Sequence, residues 1–150
     1  FGLFLMLCVV STTVRGQEGG MFSPYLVGTY DLRAGRTVLH IINPTAKSLE
    51  AYIAFFDDNE EPLKCIKEKL SHNDLLEIDV KKLELKRKFG VVKIVSHLDG
   101  KPVPGVVGFQ RHYFTQLNAK TPYGVTESNL ASVPAGILDG ELEIIRGVCK

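Results

Sequence analysis

The sequence predicts an all-β protein, a single antiparallel β-sandwich of about seven to nine short strands with at most one short helical turn. Short stretches that alternate apolar and polar residues recur along the chain, most clearly at residues 49–55, 76–80 and 142–144. Alternation with a period of two places successive side chains on opposite faces of a strand, so that one face can be buried. Turn residues separate these stretches and no long helical pattern lies between them, as is typical of a sandwich.

Eight predicted strands follow one another, and each is bounded by turn-forming Gly, Pro, Asn or Asp. They cover residues 25–30, 36–42, 50–56, 63–70, 75–80, 90–96, 106–114 and 141–148. Residues 81–88 are predicted to contain the helical turn. Residues 115–140 lack a clear period and are rich in Gly and Pro, which predicts a long loop of the kind that often carries function.

Residues 1–16 are predicted to be a signal peptide that lacks its first residues. A ten-residue apolar run, 1–10, is followed by Ser-Thr-Thr; this is too short to span a bilayer and matches the apolar part of a secretory signal. Cleavage before Gln17 would leave 17–24 as a linker and 25–150 as the sandwich domain. The alternative is that translation starts at Met21 and that the protein is cytoplasmic.

The charge balance argues against two classes of partner. The chain has 150 residues, of which 45% are hydrophobic, and a net charge of +1. Nucleic acids and anionic membrane surfaces usually select a strong basic excess. We therefore expect no nucleic-acid binding. Because the ten-residue apolar run is too short to span a bilayer, we also expect no stable membrane span in the mature chain.

Two cysteines remain after removal of the predicted signal. Cys65 and Cys149 could form one disulfide in an exported domain. The alternative is two free thiols, with Cys65 packed as a small apolar residue. The sequence leaves both open because it gives no distance between them.

The sequence offers no clear catalytic or metal-binding pattern. Its four histidines, His40, His72, His97 and His112, form no short metal-binding pair. We expect His40 and His112 to be hydrogen-bonded in strands, and His72 and His97 to be solvated in turns. The acidic stretch 57–61 lacks the glycine and spacing of a calcium loop and favours a solvated hairpin. No cofactor, metal site or enzymatic activity is predicted; a hydrolase with a scattered site is the remaining enzymatic alternative.

One stretch combines aromatic and basic side chains in a strand. Alternation across residues 109–114 places Phe109, Arg111 and Tyr113 on one face, a composition typical of interaction hot spots. The alternative is that the Arg111 stem covers the edge of a core. Tyr123 and Asn129, in the long loop, complete the set of predicted interface residues.

Several strands and turns follow one another in a particular order over residues 36–115: the Val38–Pro44 run, the strand ending in Phe55-Phe56-Asp57, the strand after Pro62, and the runs 90–96 and 106–109. This order resembles that of the sensory-rhodopsin-transducer-like β-sandwich group. The resemblance implies a small antiparallel sandwich that forms oligomers and has no enzymatic activity.

Two functions are therefore expected from the sequence. The first is a non-enzymatic, exported structural, adhesive or assembly module that binds itself or another protein. The second is a small-ligand-binding or signal-relay module similar to the soluble transducers.

Overall fold

The computed structural model describes residues 24–115, 122–133 and 138–150. The fold is an all-β sandwich of two antiparallel sheets, as the alternating sequence predicts. The strands are β1 (Tyr25–Asp31), β2 (Gly35–Asn43), β3 (Leu49–Asp57), β4 (Pro62–Leu70), β5 (Asp74–Asp79), β6 (Phe89–Leu98), β7 (Lys101–Pro102), β8 (Val107–Thr115), β9 (Pro122–Asn129) and β10 (Ala131–Ser132). A 3₁₀ turn spans Val80–Leu83, and one α-helix, α1, spans Leu138–Val148.

The two sheets have different sizes. The larger has six strands, in the order β10-β1-β6-β3-β4 with β7 paired to β6. The smaller has four, in the order β5-β2-β8-β9. Each pairing is antiparallel, and the neighbours in each sheet are often distant in sequence.

The main hydrophobic core lies between the sheets. Ile53 of β3 stands opposite Ile94 of β6, and neither side chain has measurable exposure. Leu39 and Ile41 of β2 face them from the smaller sheet and are equally buried. The alternating apolar residues of the sequence therefore meet in the interior, where the removal of apolar surface from water stabilises the fold.

A second apolar cluster lies on the other face of the larger sheet, beneath α1. Ile145 and Cys149 pack there against residues that alternate with the main core in their strands: Tyr25, Ala54, Phe56 and Val95. The larger sheet is thus covered on both faces. Within the described ranges, no helix has the length and apolar character needed to cross a lipid bilayer.

Polar contacts fix α1 in this position. Glu141 Oε2 lies 2.7 Å from Lys93 Nζ and accepts a hydrogen bond of 3.3 Å from the Tyr25 hydroxyl. Lys93 is 7% exposed, and its ammonium group lies 4.8 Å from the centre of the Phe56 ring. Because a buried ammonium is costly without a partner, these contacts favour the docked helix.

A disulfide joins the helix end to the edge of the larger sheet. Cys65 of β4 is bonded to Cys149, and their Cα atoms are 5.2 Å apart. Of the two states that the sequence left open, the structure contains the bridged one.

The C-terminal prediction was wrong. Residues 141–148 form most of α1, not a strand, so the chain contains more helix than the single turn predicted. Leu142, Ile145 and Cys149 are spaced three and four residues apart, which places them on one side of a helix. The predicted helical turn is present and begins one residue early, at Val80.

The prediction that residues 115–140 form a loop was also wrong in part. It contains β9, which pairs along β8, and β10, which pairs with β1. Their residues from 125 to 129, and 131 and 132, are exposed and mostly polar, so no apolar alternation identifies them as strands.

The acidic stretch 57–61 forms a hairpin turn that is stabilised by the carboxylate of its first residue, Asp57. Asp57 is 3% exposed, and its Oδ1 accepts hydrogen bonds of 2.9 Å from the backbone N–H groups of Asn59 and Glu61. The Asp57 carboxylate is thus used to close the turn between β3 and β4.

His112 is half-buried and His97 is fully buried in the folded chain. His112 lies between the sheets, where Nδ1 is 2.9 Å from Thr37 Oγ1 and Nε2 is 3.1 Å from Gln110 Nε2. His97 was predicted to lie in a solvated turn; it instead belongs to β6, is 3% exposed, and packs on the Tyr52 ring at 4.3 Å. Burial lowers the pKa of both imidazoles, and for His97 the Arg146 guanidinium adds to the effect.

We expect Ile53→Asp or Ile94→Asp to abolish folding, because each places an unpaired carboxylate in the main core. The cost should be about 4 kcal/mol or more, comparable to the whole stability of a domain of this size. Circular dichroism and urea unfolding would measure it. Val125→Asp, at an exposed strand position, is the control that should fold. An Ile53→Asp protein that unfolds at the parent's midpoint would show that the assigned core is wrong.

Cys149→Ser should lower the free energy of unfolding by about 2–5 kcal/mol, because the bridge closes a long loop in the unfolded chain. Urea titrations of the parent with and without reducing agent give the matched comparison. Reduction should destabilise the parent and leave the variant unchanged. Equal midpoints for oxidised and reduced parent would contradict the assignment.

Stability should fall on acidification from about pH 7.5 to about 5.5. Since the folded-state pKa values of His97 and His112 lie below the unfolded value of about 6.5, the unfolded chain binds more protons in this range. The stability contributed by the neutral rings is complete above the unfolded pKa and is lost as the pH falls toward the folded values. Urea unfolding at both pH values should show a smaller loss for His97→Gln/His112→Gln than for the parent. An equal loss in both proteins would exclude these histidines as the cause.

Candidate functional site

The candidate site is the outer face of the four-stranded sheet, the face turned away from the main core. Alternation in β8 places Phe109, Arg111 and Tyr113 on this face, as predicted from the sequence, whereas Gln110 and His112 point between the sheets. Gln110 Oε1 accepts a 3.0 Å hydrogen bond from the Thr29 backbone N–H of the opposite sheet. Because this contact turns Gln110 toward the opposite sheet, its neighbours Phe109 and Arg111 must lie on the outer face.

The register of the sheet adds neighbours that sequence reasoning missed. Residues directly opposite one another in antiparallel strands share a face. Three rows therefore cross the outer face: Glu77, His40, Phe109 and Asn129; Asp79, Val38, Arg111 and Glu127; and Arg36, Tyr113 and Val125. Only the strand pairing could have identified Arg36, His40 and Val125 as members of this set.

The aromatic rings of the face are stacked with cationic or polar groups. The His40 and Phe109 rings stack with their centroids 4.4 Å apart and an angle of 12° between planes. The Arg111 guanidinium lies 5.2 Å from the centre of Phe109, and that of Arg36 lies 4.7 Å from the centre of Tyr113. Such contacts hold long side chains in defined positions on a surface.

Ion pairs run across the sheet between neighbouring strands. Arg111 Nε lies 2.6 Å from Glu127 Oε2, and this carboxylate raises the pKa of Arg111. Arg36 Nη1 lies 3.2 Å from Asp79 Oδ2. Acidic residues thus occupy the edge strands β5 and β9, and arginines occupy the middle strands β2 and β8.

His40, like Val38, is a buried residue of this face. It is 5% exposed; its Nδ1 lies 3.7 Å from Glu77 Oε2, and its Nε2 has no hydrogen-bond partner among the described residues. The strand position predicted for His40 is correct, and the hydrogen bond expected of it is absent from the described part of the chain.

The face also exposes apolar side chains. Leu75 of β5 is 54% exposed and Val125 of β9 is 57% exposed. Helix α1 packs on β3, β4 and β6 of the larger sheet. Among the described residues, no element covers the outer face of the smaller sheet in the same way.

The remaining predicted interface residues both belong to β9. Asn129 is exposed and stands opposite Phe109, so it joins the outer face. The backbone of Tyr123 lies in β9, between Pro122 and Gly124; its side chain is outside the described part. The structure therefore brings together Phe109, Arg111, Tyr113 and Asn129.

The outer face contains no evident reactive constellation. Its charged groups pair with one another, as described above, and no serine or cysteine stands in its three rows. Within residues 24–115, 122–133 and 138–150, no group of three or more His, Cys, Asp or Glu side chains is arranged to hold a metal ion. The chemistry that the face offers is recognition by rings, guanidinium groups and carboxylates.

Comparison with known proteins supports the fold. No protein-family model and no curated protein matches the chain. A solved structure, the crystal structure of Thermotoga maritima 1070, has a similar fold, with a TM-score of 0.59 and 14% sequence identity over 75% of this chain and 97% of that chain. At this identity the likeness shows a shared fold. The resemblance to the sensory rhodopsin transducers stays a prediction from the sequence.

Proposed function

We propose that this chain is a non-enzymatic, exported β-sandwich that acts in assembly, and that a second copy of the chain binds to the outer face of the four-stranded sheet. One observation is the main support for this proposal. This face presents rings, arginines and exposed apolar side chains without a covering element in the described part of the chain, whereas α1 covers the corresponding face of the larger sheet.

The composition of the face is that of an interaction hot spot. Aromatic residues and arginines contribute most of the binding energy in many interfaces, and exposed apolar side chains add surface to be buried. Phe109, Arg111 and Tyr113 are already held by stacking and by ion pairs. Binding therefore costs less side-chain entropy than it would for free side chains.

The charge pattern favours a second copy as the partner. A two-fold interface brings the same surface of both subunits together, so that surface must complement itself. Here the edge strands are acidic through Glu77, Asp79 and Glu127, and the middle strands are basic through Arg36 and Arg111. When two such sheets cross near a right angle, each middle strand of one copy runs across all four strands of the other, so its arginine can meet a carboxylate of an edge strand.

Export is supported by two features. The apolar run at residues 1–10 matches a secretory signal, and the Cys65–Cys149 bridge suits an oxidising compartment. The proposal of a non-enzymatic role rests on the sequence, in which no nucleophile, base or set of metal ligands has a recognisable spacing.

Light scattering coupled to size-exclusion chromatography tests the proposed assembly on the mature chain, residues 17–150. We expect a particle of at least twice the chain mass. Arg111→Glu/Val125→Asp should yield a monomer, because it reverses a central charge and adds a carboxylate at an exposed apolar position.

Arg146→Glu is the matched control for this test. Arg146 is 44% exposed and forms an ion pair with Glu143 on α1, much as Arg111 is 40% exposed and paired with Glu127. It should leave the parent mass unchanged. A parent that is monomeric at every concentration, or that loses assembly equally with either arginine variant, would overturn the proposed interface.

A further inference from the structure

A cavity of about 570 Å³ lies at one end of the outer face, where β2 begins and β8 ends. Its volume is within the range of small-molecule sites, about 300–1,000 Å³. The residues that line it include Arg36, Asp79, Lys81, Lys82, Tyr113 and Thr115. Gly35 also lines it and allows the two strands to approach closely, because a Cβ there would overlap the Tyr113 carbonyl.

The cavity has an excess of positive charge. Asp79 is the one carboxylate among its lining side chains, and both of its oxygens are engaged within the chain. Oδ2 pairs with Arg36, and Oδ1 accepts a 3.1 Å hydrogen bond from the Lys81 backbone N–H at the start of the 3₁₀ turn. Among the described residues, neither Lys81 nor Lys82 forms an ion pair through its ammonium group. Two lysine charges are therefore left for a ligand.

One wall of the cavity is aromatic. The Tyr113 ring lines it, and the Arg36 guanidinium lies over that ring, 4.7 Å from its centre. Asp79 holds Arg36 in this position from the other side. A ring with a guanidinium fixed over it offers a flat surface for a planar group, next to the lysines that would bind an anion.

We propose that this cavity binds a small organic anion, a carboxylate or phosphate borne on a planar ring. The anionic group contacts Lys81 and Lys82, and the ring lies against the Arg36 guanidinium that is held over Tyr113. This site shares Arg36, Asp79 and Tyr113 with the outer face proposed above for self-association, but it needs only one copy of the chain and reaches beyond that face to Lys81 and Lys82.

Titration of ¹⁵N-labelled residues 17–150 with a panel of probes tests the site. The probes are benzoate and phenyl phosphate, inorganic phosphate as the anion without a ring, and benzylamine as the ring with a positive charge. We expect phenyl phosphate and benzoate to shift the amide resonances of Gly35 and Thr115, with dissociation constants of about 1 mM. Inorganic phosphate should bind more weakly, and benzylamine should not bind.

Variants distinguish the two parts of the site. Lys81→Gln/Lys82→Gln should weaken phenyl phosphate binding about tenfold, because it removes two charges that face the anion. Lys86→Gln/Lys88→Gln makes the same charge change on exposed lysines that do not line the cavity, and should have little effect. Tyr113→Leu should abolish the preference for phenyl phosphate over inorganic phosphate.

Three outcomes would overturn the proposal. Equal weakening by the two lysine pairs would show a general charge effect. Equal binding of inorganic and phenyl phosphate would show a simple anion site, and equal binding of benzylamine would show that charge is not recognised. Light scattering on the same samples separates this result from the assembly proposal, because Lys81→Gln/Lys82→Gln should retain the parent mass.

Discussion

The central strands β3 and β6 carry apolar side chains on both faces, and both faces must be covered by other parts of the molecule. Successive side chains of a strand point to opposite sides, so two covers are needed. The four-stranded sheet covers one side, where Ile53 and Ile94 meet it. Helix α1 covers the other, above Ala54 and Val95. Because an eleven-residue helix is marginal by itself, the apolar packing of Ile145, the disulfide and the Lys93–Glu141 pair keep this second cover in place.

This arrangement makes the sandwich asymmetric, and the asymmetry underlies the functional proposal. The larger sheet is covered on both faces, and one of its two edge strands, β4, displays Lys64, Lys67 and Lys69, which discourage strand addition. The smaller sheet turns an ordered surface of rings and arginines outward. Order on that surface comes from pairing across strands, since Arg111 meets Glu127 and Arg36 meets Asp79. A surface whose side chains are already positioned is well suited to recognition.

Much of the fold could be predicted because burial on one face leaves a period of two in the sequence, as in β5, and because strands buried on both faces, such as β3 and β6, leave short apolar runs bounded by turn residues. The failures have physical reasons. In α1, the short run Leu142-Glu143-Ile144 alternates like a strand, and only the longer spacing to Ile145 and Cys149 indicates a helix. In β9 the exposed positions 125–129 leave no apolar period. Within the site, Phe109, Arg111 and Tyr113 follow from local alternation, whereas Arg36, His40 and Asp79 join them through strand pairing, which one sequence does not reveal.

The position of the disulfide also determines how the chain would carry a mechanical load. A pull applied between residues 24 and 150 passes from Cys149 directly to Cys65 through the covalent bridge. The 83 residues between the two cysteines are bypassed, and with them β5 to β10 and α1. With the bridge intact, the distance between the two ends could reach about 150 Å, whereas without the bridge it could reach about 440 Å, at roughly 3.5 Å per residue. The whole outer face of the four-stranded sheet except its β2 strand lies inside this protected loop, so tension would reach that surface through β2 alone.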